Sequence, residues 1–236
     1  MRQQDRPPTL EQIEIARWTA SLGAVTAEAL AHRTGVSVRS ARGKLIAAER
    51  RKLVSRVRPF AGRPSLFTIT TAGLRACDAR GIKRCEVSDK NANHLIMCAA
   101  AAAALERCYP HHRLVGELEL RRDEREQGRP LACARLGASQ GVKSGLHCPD
   151  LVLWPRSSEG GLPVAVEVEL TTKAHRRLAG ICRAWARCRV VAGVLYFAPP
   201  DVERALLRTV AEVRASEQVV VMPLDSLLGA PRAGGE

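Results

Sequence analysis

The chain has 236 residues, 46% of them hydrophobic and 3% aromatic, with a formal charge of +13. That length suits two modest domains with cores of Ala, Val, Leu and Ile, and that charge points to a polyanionic partner. No run approaches the roughly 20 consecutive apolar residues of a membrane span, and the N-terminal MRQQDRPP lacks the apolar stretch of a secretory signal, so a cytoplasmic protein without a membrane partner is expected.

The charge is uneven. Up to Lys90 eighteen basic residues stand against eight acidic ones, and beyond it nineteen against sixteen. The basic character therefore belongs to the N-terminal part. There, Leu10 to Leu22 carries apolar residues at Ile15, Trp18 and Leu22 and ends at Gly23, which predicts a helix closed by glycine. Thr26 caps a second helix through His32, with Glu28 in its first turn, and Gly35 makes the following turn.

Ser37 caps a third helix to about Leu53. Its periodicity places Val38, Ala41, Leu45 and Ala48 on a packing stripe. Arg39, Ser40, Gly43, Lys44, Arg50 and Arg51 project on the other side, with Arg42 beside them. Val54 to Arg58 and Ser65 to Thr70 read as strands of a hairpin whose tip, Pro59 to Pro64, is basic, and Thr71 to Ala79 resumes as a helix.

Helix, helix, turn, basic helix and basic-tipped hairpin is the order of a winged helix-turn-helix. A third helix of this kind fits a major groove roughly 12 Å wide. The expected contacts to double-stranded DNA are Arg39, Ser40, Arg42, Gly43, Lys44, Arg50 and Arg51 from the helix and Arg56, Arg58 and Arg63 from the wing. Gly43 would let the helix come close to a phosphate or a base edge.

Residues 81–93 read as a linker and Asn91 to Cys108 as an alanine-rich helix. Arg122 to Gly145 is polar and glycine-dotted, which predicts a long surface loop. Strands follow at Leu151 to Trp154, Val164 to Leu170, Val190 to Phe197 and Val219 to Met222, with helices at Ala174 to Cys188 and Asp201 to Ala215. Strands alternating with helices imply an α/β layer on a mixed sheet. The expected division is residues 1–80 for the DNA-binding domain, 94–227 for the α/β domain and 228–236 for a disordered tail.

Two strings carry chemistry: Cys148-Pro149-Asp150-Leu151-Val152-Leu153-Trp154 and Val164-Ala165-Val166-Glu167-Val168-Glu169-Leu170. Alternate side chains of a strand share a face, so Glu167 and Glu169 point one way and Val166 and Val168 the other. If Asp150 opens the neighbouring strand, its carboxylate sits beside Glu167, and carboxylates meeting at a strand edge suit Mg²⁺. The alternative is a solvated edge strand whose glutamates pair with Arg176 or Arg177.

These strings resemble the PD-(D/E)XK nuclease superfamily over roughly His94 to Pro223. That resemblance implies a nuclease-like α/β domain in which Asp150 and Glu167 bind Mg²⁺, with Mn²⁺ as substitute, and Glu117 is a further acidic residue from the preceding segment. Where the superfamily usually has lysine, this chain has Glu169, which can accept a proton from the attacking water. Lys173 is the alternative source of the missing ammonium. The whole order also looks like the actinobacterial replication-relaxation family of plasmids and mobile elements, on Val166-Glu167-Val168-Glu169-Leu170-Thr171-Thr172-Lys173 and Val194-Leu195-Tyr196-Phe197.

Two functions remain open from these residues. One is Mg²⁺-dependent cleavage of DNA; the other is a non-catalytic regulator or replication factor, whose second domain dimerises the chain or grips DNA. Cys77, Cys85, Cys98, Cys108, Cys133, Cys148, Cys182 and Cys188 show no C-x-x-C pair or zinc spacing, and are expected as reduced, mostly buried thiols. The pairs His111-His112 and His147-Cys148 are expected in surface loops, and no P-loop occurs.

Overall fold

Thr9 opens the first helix, α1 (Leu10–Leu22), by accepting the Gln12 amide while the Gln12 side chain accepts the Thr9 amide. This reciprocal capping box satisfies two of the amides that every helix start leaves without partners. The computed structural model describes residues 7–137, 145–156 and 160–228, and divides into two units, Met1–Ala104 and Leu105–Glu236.

In the first unit β1 (Ala24–Val25) follows α1, then α2 (Ala27–Thr34) capped by Thr26 and α3 (Val38–Arg50) capped by Ser37. Next come β2 (Val54–Val57), β3 (Leu66–Ile69) and the short α4 (Thr71–Ala76). The strands form an antiparallel sheet in the order β1-β3-β2, so central β3 is buried along its whole length. Ala41, Leu45 and Ala48 of α3 are buried as their spacing requires. Val38, expected on the same stripe, is instead 39% exposed. It is the first residue of the helix, ahead of the turn that packs. The helix also stops three residues short of Leu53, because Lys52 takes a positive φ of 59° and turns the chain into β2.

The second unit is a mixed α/β layer. Helix α5 (Ala92–Cys108) leads into it, followed by β4 (His112–Gly116), α6 (Glu117–Gln127) and the short pair β5 (Ala134–Arg135) and β6 (Leu146–His147). Then come β7 (Leu151–Pro155), β8 (Val164–Val168), α7 (His175–Ala186), β9 (Gly193–Ala198), α8 (Pro200–Glu212), β10 (Val219–Pro223) and α9 (Leu224–Leu228). The five-stranded sheet has the order β10-β9-β8-β7-β4, with β8, β9 and β10 parallel and β7 and β4 antiparallel to their neighbours.

The expected loop from Arg122 to Gly145 is interrupted by regular structure at residues 122–127 and 134–135 and is irregular in the rest of its described residues. Its first part completes α6, which has few apolar residues and is held by ion pairs along its surface: Arg121 to Glu117 at 2.6 Å, and Arg122 to Asp123 at 2.6 Å. Residues 138–144 of that stretch, and the expected tail from residue 229, lie outside the described residues. Among the described residues no helix is long and apolar enough to cross a membrane.

Candidate functional site

Two chemically distinct surfaces stand out, one in each unit. In the first, Arg39, Ser40, Arg42, Gly43 and Arg50 are exposed on α3, while Lys44 and Arg51 are half-buried. Arg56 and Arg58 at the end of β2 and Arg63 in the hairpin tip are exposed as well. A cleft of about 540 Å³ lies between the hairpin and the helices, lined by Glu28, Arg42, Arg56, Arg58, Phe60 and Arg63.

The cations are not equivalent. Lys44 is bound to Glu11 of α1, Arg42 lies 3.7 Å from Glu28, and Arg56 lies 3.6 Å from Glu49. Among the described residues Arg39, Arg58 and Arg63 make no ion pair, so their charge is wholly available to a polyanion. Among the described residues, the backbone of α3 itself aside, nothing lies within 4 Å of a Cβ built on Gly43. The glycine is thus not required by packing, and it leaves the helix backbone open on its outer side.

The second surface is built on β8. Leu151 of β7 stands opposite Val166 of β8, so one residue further the antiparallel register sets Asp150 opposite Glu167. The Asp150 carboxylate accepts the Val168 amide at 2.8 Å, which fixes it against the strand. Glu167 is 6% exposed and Glu169 is 7% exposed. The expected alternative of a solvated edge strand is thereby corrected: β8 is the middle strand of five, and residues on both of its faces, from Ala165 to Val168, are buried.

Burial pushes the Glu167 carboxyl above its ordinary range. A hydrogen bond from His147, whose Nε2 lies 2.7 Å from Glu167 Oε1, and the His147 charge pull it back, while the neighbouring Asp150 charge pushes it further up. The imidazole is held edge-on to Trp185, with ring centres 5.7 Å apart. Lys173 forms an ion pair with Glu169, one helical turn's reach beyond the strand. Its ammonium is pulled down by burial and held up by the charges of Glu167 and Asp150. Lysine and both carboxylates therefore share one electrostatic neighbourhood. Burial, then the Glu167 charge, pushes the Cys182 thiol up to about 11, which leaves it a protonated wall of the site.

The expected Glu117 opens α6, and its amide donates to the Asp150 carbonyl at 3.0 Å. Its carboxylate is engaged by Arg121 at 2.6 Å on a half-exposed surface. His147 was expected in a surface loop, and the structure corrects this by placing it on β6 against Glu167. The cysteine expectation also needs correction: Cys133 and Cys148 are joined in a disulfide, with Cα atoms 4.2 Å apart. The reason is register, since Ala134 pairs with His147 and the residues flanking that pair face one another. No sequence spacing signals either contact. The remaining six cysteines are in no disulfide.

No protein-family model matches the chain, and no curated protein does. Among solved structures it is similar to the crystal structure of protein VC1899 from Vibrio cholerae, at 8% identity and a TM-score of 0.34. The alignment covers 95% of this chain and 55% of that one, so the chain spans about half the length of its structural neighbour.

Proposed function

We propose that this chain binds double-stranded DNA through a winged helix-turn-helix in its first unit. Its second unit, read as nuclease-like, binds Mg²⁺, or Mn²⁺ in its place, between Asp150 and Glu167 and acts on a phosphodiester. The observation that carries this reading is Glu167 itself. A carboxylate buried on a central strand opposite a second carboxylate is unfavourable unless cations come to it, and hard oxygen donors in that arrangement fit Mg²⁺.

When bound, the ion lowers the pKa of a coordinated water and offsets charge on the phosphate. The chain's own groups do the rest. His147 orients Glu167, the Val168 amide orients Asp150, and Glu169 holds Lys173. In that position the Lys173 ammonium supplies the positive charge that the Glu-x-Glu string lacks, and it can steady a water or a phosphate oxygen.

A second reading has its own support. His147 already gives Glu167 a hydrogen-bond partner and Lys173 gives Glu169 a cationic one, an arrangement that suits a closed polar network in a regulator or replication factor that binds DNA without cutting it. Melting curves separate the two. Millimolar Mg²⁺ or Mn²⁺ is expected to raise the melting temperature, by about 2.7 kcal/mol of stability at a hundredfold excess over Kd. Asp150→Asn should remove that increment and leave DNA binding unchanged. An increment of zero in the wild type, together with intact supercoiled DNA after incubation, selects the non-catalytic reading.

The glycine of α3 offers a separate test of the DNA surface. Gly43→Ala is expected to stabilise the free protein by about 0.5–1 kcal/mol, because alanine is the better helix former and meets no neighbour. In a band-shift titration the same change should weaken DNA binding, since the new methyl group stands where the backbone of DNA would approach. Tighter or equal binding would remove Gly43 from the interface.

A further inference from the structure

Glu124 lies in the last turns of α6 and is 8% exposed. Its Oε1 accepts three consecutive backbone amides, those of Leu131 at 2.8 Å, Ala132 at 3.1 Å and Cys133 at 3.0 Å. Such triple acceptance by one buried oxygen fixes the segment after α6 more firmly than an ordinary turn. Cys133, the last of the three, is bonded to Cys148. Cys148 in turn stands directly between His147, which holds Glu167, and Pro149-Asp150, which takes the Val168 amide. The disulfide thus links a rigid anchor to the two residues that set the geometry of the acidic site.

We propose that Cys133 and Cys148 form a thiol–disulfide switch that positions His147 and Asp150, and through them sets the affinity of the acidic site for a divalent cation. The inference rests on reading Asp150 and Glu167 as cation ligands. Two unlinked thiols need van der Waals separation. The Cys133 side is held by three amide bonds to Glu124, so on reduction the displacement falls on Cys148 and on its neighbours His147 and Asp150.

The oxidant is a low-molecular-weight disulfide. The Cys148 thiolate, on the less deeply buried residue of the pair, attacks it, forms a mixed disulfide and releases one thiolate. The Cys133 thiolate then attacks the Cys148 sulfur, closes the protein disulfide and releases the second. Two electrons pass to the oxidant, and the two protons lost by the cysteines end on the two released thiols. A dithiol reductant runs the same steps backwards. The other six cysteines are in no disulfide, so closure of an intramolecular cross-link is assigned to this pair.

The test uses the full chain equilibrated with a linear disulfide, glutathione disulfide, or with reduced dithiothreitol, with two readouts. Hydrogen exchange at the Val168 amide, followed by NMR, reports whether Asp150 is in place; Mg²⁺ titration by calorimetry reports the site. Protection at Val168 is expected in the oxidised chain and its loss in the reduced one, with Mg²⁺ binding weakened about tenfold, the low end for displaced supporting groups around a metal. Cys133→Ser should show the reduced values in oxidising buffer, and Cys108→Ser, at a half-buried cysteine outside the acidic site, should respond as wild type does. The proposal is overturned if Val168 exchanges alike in both states while mass spectrometry finds the Cys133–Cys148 cross-link. It is equally overturned if both cysteines alkylate in oxidising buffer, or if the reduced pair and Glu124 take up zinc stoichiometrically. A redox response at Val168 with no Mg²⁺ binding in either state overturns the cation reading and leaves the switch of the segment standing.

Discussion

Replacing Glu124 by alanine is expected to destabilise the second unit by about 4 kcal/mol, among the largest effects a single substitution produces. One carboxylate oxygen serves three amides at 2.8–3.1 Å, and hydrogen bonds to a charged acceptor are each worth about 1.5–3 kcal/mol net. Alanine removes all three and leaves the amides of Ala132 and Cys133 buried without that acceptor. The sum is not additive, because the segment relaxes once the first bond is gone. Glu124→Gln keeps a neutral oxygen in place and should recover more than half of the loss. Urea unfolding followed by Trp185 fluorescence measures both variants, since Trp185 lies fully inside the core of this unit. A loss below about 1 kcal/mol for Glu124→Ala would mean that the 131–133 segment is held by something else.

The second large effect concerns DNA. Arg39, Arg58 and Arg63 are exposed and have no ion-pair partner among the described residues, so neutralising all three removes charge without disturbing the fold. Each phosphate contact contributes about 0.9 to the slope of log affinity against log salt, so the triple alanine variant should flatten that slope by roughly 2.7. At 0.1 M salt the same counterion argument gives a loss of roughly a hundred- to a thousandfold. Lys44→Ala should do far less, because Lys44 is already committed to Glu11. Neutralising Arg56, Arg58 and Arg63 together should weaken specific and random duplexes alike, as contacts to the backbone do. Fluorescence anisotropy across a salt series measures all of these. An unchanged slope in the Arg39, Arg58, Arg63 variant would move the DNA surface elsewhere.

The first unit was readable from sequence to within a residue or two at most helix starts, because its punctuation is local. Thr26 and Ser37 cap, Gly23 and Gly35 close, and each signal acts within one turn. Strands β7 to β10 were readable for a related reason, since apolar runs of Val and Leu leave little other choice. Three features were not. Strand β4 begins with His112-Arg113 and acquires strand character only by pairing with β7, a partner about forty residues away. Helix α6 has the composition of a loop and is stabilised by ion pairs that periodicity does not register. The roles of Glu124 and His147 depend on contacts seven to twenty residues distant, made by single side chains. Asp150 and Glu167 were visible as a pair because both lie on adjacent strands of a short hairpin. What the sequence could not show was that the hairpin sits in the middle of the sheet, where charge has to be neutralised.

That same hairpin bears on the order in which the second unit comes together. β7 and β8 pair across a short connection, whereas β8 to β9 and β9 to β10 each need a crossover through a helix. The entropy of closing a loop grows with its length, so the antiparallel pair is the one that forms with least delay. Asp150 and Glu167 therefore face each other before the parallel half of the sheet is in place. Their mutual repulsion is then felt on the way to the native state as well as within it. On the proposed reading of the site, a proton, His147 or a divalent ion that relieves it is expected to speed the closing of the sheet, and the refolding rate would then be a kinetic record of the site's charge.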